Sequence, residues 1–187
     1  MRGRRRRSSS TRPELSFAGA GTSSLSNGAE LLELRALYAR IDRQLEGWTC
    51  DASTDCCRFG VTGREPYPTA IEIAELERAI RARGGLPKRR SLPVAPSKGR
   101  DERRCSLLGD DGRCLVYASR PFGCRTFFCD RAQGPVGERA DSGLPRGVIA
   151  EAGRDIAALS ARFAPADPGP RPLSRVSGDW EAQRSRR

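Results

Sequence analysis

The sequence predicts a small α+β fold, mostly helical and irregular, with one short β-hairpin, disordered basic tails, and helices set around a cysteine-rich centre. Three observations predict it. Apolar residues recur at helical steps in separate stretches, a Gly-Asp-Asp-Gly turn sits between two short apolar arms, and seven cysteines fall in two groups in a chain without histidine.

Leu31, Leu34, Tyr38, Ile41 and Leu45 make one apolar stripe, which predicts a helix over 29–46, with Ser26 or Asn27 at its start and Gly47 at its end. Pro66 and Pro68 keep the next segment, 50–68, out of helix. Thr69-Ala70-Ile71-Glu72 is a capping-box pattern, so a second helix is predicted to about Arg83, with Ile73, Leu76 and Ile80 inward and Gly84 as its stop. Residues 85–104 are proline-rich and basic, and read as an exposed loop. Cys105 to Tyr117 reads as a hairpin about Gly109-Asp110-Asp111-Gly112, with Cys105 and Cys114 at similar heights on neighbouring strands and the two aspartates as turn residues. Pro121 suits the first turn of a short helix over 118–125 that carries Cys124. A last helix is predicted over 145–163, with Val148, Ile156, Leu159 and Phe163 on one face, Asp141 or Ser142 as cap and Pro165 beyond its end.

The net charge of +11 is unevenly placed. Residues 1–12 hold six arginines and no acid, and residues 171–187 hold five arginines against Asp179 and Glu181, which leaves only +2 for the body. Both ends are rich in Arg, Ser, Gly and Pro, so 1–28 and 166–187 are expected as disordered tails around a single domain, 29–165. Arg-rich ends can hold nucleic acid through phosphate contacts. They can equally be solvated tails, and arginine outnumbers lysine 32 to 2 over the whole chain, a bias that extends beyond any one surface. Leu, Ile, Val and Phe make 34 of 187 residues, below the ~20% at which high charge begins to suggest disorder. So lean a core gains from a covalent or metal staple, and a bound structural zinc can contribute on the order of 10 kcal/mol.

The cysteines are the candidates for that staple. Cys50, Cys56 and Cys57 form one group, and Cys105, Cys114, Cys124 and Cys129 a second reading C-x8-C-x9-C-x4-C. Disulfides need an oxidising compartment, yet Arg2 to Arg7 run into a Ser/Thr/Pro stretch with no apolar region of a secretory signal, and no stretch has membrane-spanning length. The expected location is therefore the reducing cytoplasm, with no membrane partner. Inert buried cysteines would account for one or two positions. Metal ligation accounts for the clustering: a thiolate is soft, anionic and readily deprotonated by a bound ion, and four make a closed zinc site or hold an iron–sulfur cluster. No C-x2-C knuckle of zinc ribbons occurs, and the wider spacings match neither ferredoxin pattern. All seven cysteines are candidate ligands, and the cofactor is an iron–sulfur cluster or zinc. Phe122, Phe127 and Phe128 would supply an apolar shell, while Arg120 and Arg125 would stand behind the ligands and offset thiolate charge.

Cys56-Cys57, followed by Cys105, Cys114-x2-Tyr117-x2-Arg120-Pro121-x2-Cys124-Arg125-x3-Cys129, resembles the YkgJ-type cysteine-cluster family, the zinc- or iron-chelating domain, over about residues 48–130. Many of its members open with a C-x2-C-x2-CC run, of which this chain has one cysteine fewer. The resemblance implies metal chelation by the clustered cysteines, with iron–sulfur oxidoreductase activity suggested for relatives. Three function classes follow. The first is a cytoplasmic metal-binding protein without catalysis. The second is an iron–sulfur-dependent redox or group-transfer enzyme, against which stand the missing glycine-rich nucleotide fingerprint and the missing histidine base. The third is a nucleic-acid-associated module that uses its arginine-rich tails.

Overall fold

A computed structural model of the chain describes residues 23–48, 55–86, 104–127, 132–135 and 145–185. Helix α1 spans Ser23–Gln44 and sets the apolar stripe of Leu34, Tyr38, Ile41 and Leu45 against the rest of the chain. It starts earlier than its apolar residues demand, so 23–28 belong to a helix and not to a tail. Gly47, at φ +89, turns the chain out of it, and a β-carbon there would meet the Pro135 ring at 2.8 Å.

A four-residue helix, α2 (Phe59–Thr62), leads into the extended segment 64–69, and α3 (Ala70–Ala82) follows. Glu72 accepts the Thr69 N–H at 2.8 Å and its hydroxyl at 2.9 Å, so the expected capping pattern closes the helix start. Helix α4 (Phe122–Arg125) comes next, then α5 (Arg146–Phe163), whose Ala152, Ile156 and Leu159 are buried. Its expected caps, Asp141 and Ser142, lie outside the described residues. Helix α6 (Leu173–Ser185) falls where a disordered tail was expected. Leu173 and Val176 are buried, and the Trp180 indole N–H donates to Glu77. The chain reaches α6 alongside segment 64–69: Arg171 N–H donates to Pro68 C=O and Leu173 N–H to Pro66 C=O, which suits prolines that can accept but not donate.

Two apolar clusters result. One joins α1, α3 and α5 through Leu34, Ile41, Ile71, Ile156 and Leu159. The other joins α2, α3, α6 and the 105–116 segment through Phe59, Leu76, Leu107, Val116 and Leu173. Each Leu or Ile fully withdrawn from water contributes roughly 1.5–3 kcal/mol. Helix α3 is the shared wall, giving Ile71 to one side and Leu76 and Ile80 to the other. Ion pairs between Arg40 and Asp155 (2.5 Å) and between Arg162 and Glu33 (2.6 Å) rim the α1–α5 contact. Among the described residues no helix is long and apolar enough to cross a membrane.

The expectation of an α+β fold with a hairpin and helices set around a metal centre is corrected here. The described residues hold no strand, and the helices pack around the two apolar clusters, with Cys105 inside the second and Cys57 and Cys114 packed against it. The Gly109–Gly112 turn does form, closed by Gly109 N–H to Arg113 C=O (2.8 Å) and Leu115 N–H to Leu107 C=O (2.8 Å), with Gly112 at φ +76. Only one isolated antiparallel bridge, between Leu108 and Cys114, stands on it. A strand cannot continue because Leu107 and Leu108 are both buried, against the alternation a half-buried strand requires. A tight turn from Cys105 C=O to Leu108 N–H bends the incoming arm, and a 3₁₀ turn at Tyr117–Ser119 bends the outgoing one.

Candidate functional site

Cys50 and Cys129 lie outside the described residues, and the other five cysteines come from three segments. Cys56 and Cys57 end the 3₁₀ turn Asp55–Cys57, Cys105 and Cys114 flank the Gly109–Gly112 turn, and Cys124 sits in α4. The first two segments are tied directly. Cys105 N–H donates to Cys57 C=O at 2.8 Å, beside an antiparallel bridge between Arg58 and Arg104. Cys124 follows Pro121, whose carbonyl accepts its N–H at 2.9 Å.

The sulfurs are close enough to act on one another. Cys56 and Cys57 lie 4.0 Å apart, Sγ to Sγ. The Cys57 thiol is pushed up first by its hydrogen bond with Cys56, then by burial, then by the charges of Cys56, Cys105 and Cys124. Burial is the main cause raising Cys124, with Cys105, Cys114, Cys56 and Glu72 adding to it. Cys114 is raised by burial too, against the Val116 backbone N–H and the charges of Arg120 and Arg83, which favour its thiolate. Burial and the neighbouring thiols thus favour the protonated form of Cys57, Cys114 and Cys124.

The fit to a metal is one of donor chemistry. Sulfur is abundant and soft, and no disulfide joins the five. Yet no three cysteine or carboxylate side chains among the described residues form a group that could hold one ion. Cys105 is also buried in the second apolar cluster beside Leu107 and Leu76, the setting of a cysteine that packs as a small hydrophobe.

Arg120 and Arg125, expected behind the ligands, take different places. Arg120 stacks on the Tyr117 ring at 3.9 Å, lies 3.7 Å from Asp42, and acts electrostatically on Cys114. Arg125 is 3% exposed and turns toward α1. Its guanidinium donates to Arg120 C=O at 2.9 Å, to Asp42 at 2.5 Å and to Ala118 C=O, and lies 4.0 Å from the centre of the Tyr38 ring. Phe122 packs on the first cluster, and Phe127 faces Arg64 at 5.4 Å.

Two carboxylates that sequence reasoning did not place in the interior fix the segment carrying Cys124. Glu72 accepts the Phe122 N–H at 2.7 Å and the Tyr38 hydroxyl at 3.0 Å, beyond its capping role. Burial and the Glu72 charge raise the Tyr38 phenol well above its usual range. Glu75 is 1% exposed and accepts from Ser119 at 2.9 Å, from Arg78 at 2.8 and 2.9 Å, and from Arg35 at 2.9 and 3.1 Å. The available signal was an acid at 72 and another at 75 amid the apolar positions 71, 73 and 76 of one short helix. No protein-family model matches this chain, and comparison with curated proteins and with solved structures likewise finds no match.

Proposed function

We propose that this protein binds zinc or an iron–sulfur cluster through cysteine thiolates, in a reducing compartment such as the cytoplasm. The observation that carries the reading is the backbone pairing of Cys105 with Cys57, which joins the two cysteine groups of the sequence beside the Cys56 and Cys57 sulfurs 4.0 Å apart. A soft cation is what such a set of thiols accepts, because binding replaces the protons and removes the mutual repulsion. Cys50 and Cys129 add two further thiols by sequence. A bound cluster would supply one-electron chemistry, and a bound zinc would supply a closed structural site.

Anaerobic purification with zinc, iron and acid-labile sulfide quantification tests the reading. Iron with sulfide and a broad visible absorption band identifies a cluster and makes redox chemistry the leading activity. Zinc alone in a colourless protein identifies a zinc site. A metal-free protein with its full count of thiols would mean the proposal is wrong. Single serine replacements at Cys57, Cys114 and Cys124 are each expected to cut bound metal by more than half, and unchanged stoichiometry in all three would remove these residues as ligands.

A further inference from the structure

Beside the thiols the chain sets arginines next to one another instead of next to acids. Arg58 and Arg104 face each other across an antiparallel bridge, and both are exposed. Residues so paired hold their side chains on one face about 5 Å apart, an arrangement that is unfavourable for like charges. Arg104 donates to Gly109 C=O at 3.2 Å, which brings it onto the turn that also carries exposed Arg113. Arg83 is exposed too, and it and Arg120 are near enough to Cys114 to act on its thiol. Among the described residues no carboxylate pairs with Arg58, Arg83, Arg104 or Arg113. Asp110 and Asp111 share the turn, and Asp111 accepts the Arg113 backbone N–H at 3.0 Å. Elsewhere arginines do reach acids, as Arg35, Arg40, Arg78 and Arg162 show.

Tyr117 decides what kind of anion this face fits. Its ring is 64% exposed and stacked against the Arg120 guanidinium at 3.9 Å. An acidic protein surface would use the arginines and leave an exposed aromatic idle. A single-stranded nucleic acid uses both, since its phosphates meet the arginines while an unpaired base stacks on the ring. The overall charge of +11 favours the encounter. We propose that Arg58, Arg83, Arg104 and Arg113, with Tyr117 on its Arg120 support, form a face that binds single-stranded nucleic acid. This face is distinct from the arginine-rich ends of the chain, and its binding requires no metal at the thiols.

The test is fluorescence anisotropy of a labelled oligo-deoxythymidylate with the full chain over a range of salt concentrations. The unaltered protein should bind at low salt. The variant R58E/R104E/R113E should lose at least about tenfold in affinity, and the slope of log K against log salt should flatten by about 2, from about 0.7 per phosphate contact. Y117A should weaken binding about fivefold or more without changing the slope. R58K/R104K/R113K keeps the charge and should retain most of the affinity, which separates lost contacts from a disturbed fold. Unchanged affinity and slope in the charge-reversed variant would overturn the proposal, because binding would then rest elsewhere. No binding at low salt, or equally tight binding of polyglutamate, would overturn it as well.

Discussion

The variant E75Q is expected to unfold about 3 kcal/mol more easily than the unaltered protein at neutral pH. Burial by itself would raise the Glu75 pKa, but hydrogen bonds from Arg78, Arg35 and Ser119 outweigh it and hold the carboxyl at about 2. Against an ordinary value near 4.5, that difference corresponds to about 3 kcal/mol of preference for the ionised form in the folded state. Glutamine has nearly the same shape but brings two donors to a place already filled with donors. Arg35 and Arg78 stay about 40% exposed and can turn to water, which keeps the cost below that of stranding fully buried charges. The pH dependence has a definite sign. A depressed carboxylate stabilises the fold above its unfolded pKa, so this contribution is whole above about pH 5 and is lost as pH falls toward 2. Chemical denaturation from pH 7 to pH 2.5 should show the unaltered protein losing its advantage over E75Q across that window. Parallel curves for the two would show that the carboxylate charge contributes nothing to stability.

The variant R125M should cost about 3–5 kcal/mol. The guanidinium is almost wholly buried and holds two backbone carbonyls and the Asp42 carboxylate while lying over Tyr38. Methionine fills part of the volume but leaves the carbonyls of Ala118 and Arg120 without this donor in a closed space. Asp42 is half-exposed and can return to water, so the carbonyls dominate the loss. R125K should recover only part of it, because one ammonium cannot present donors in the plane of a guanidinium fork. Thermal unfolding measures the stability change, and the rate of Cys124 modification by a thiol reagent reports the site. That rate should rise in R125M, since the same side chain pins the turn leading into α4. A variant with wild-type melting and wild-type Cys124 reactivity would contradict both expectations.

What the sequence revealed follows from where the information is local. The stripe from Leu34 to Leu45, the Thr69–Glu72 cap and the apolar face of α5 are patterns within one turn or a few, and all three helices were legible. The expected hairpin does not form because a good turn sequence does not by itself make strands, and the adjacent buried leucines at 107 and 108 break the alternation. Helix α6 was hidden by composition. Leu173, Val176 and Trp180 do recur at helical steps, but the surrounding Arg, Ser and Gly carried the reading of a tail. The candidate site was legible as residue types and not as geometry. The nearness of the two cysteine groups depends on the Cys105 backbone pairing with Cys57 across nearly fifty residues, and local spacing does not encode such a contact. Arg125 illustrates the same limit: its place beside Cys124 suggested electrostatic support for the thiol, and the fold turned it toward Asp42 and Tyr38 instead.

Because α3 is a wall shared by two apolar clusters, the molecule need not open as one cooperative unit. The α1–α5 side has no cysteine among its described core residues and closes on itself through Leu34, Ile41, Ile156 and Leu159. The other side leans on a four-residue helix, isolated bridges and turns, the kind of structure that opens at a fraction of the global free energy. Amide hydrogen exchange should therefore divide the chain, with α1 and α5 protected by the full unfolding free energy and residues 105–119 exchanging through smaller openings. Such a division lets the half built on turns and bridges loosen and close again while the other half keeps its shape.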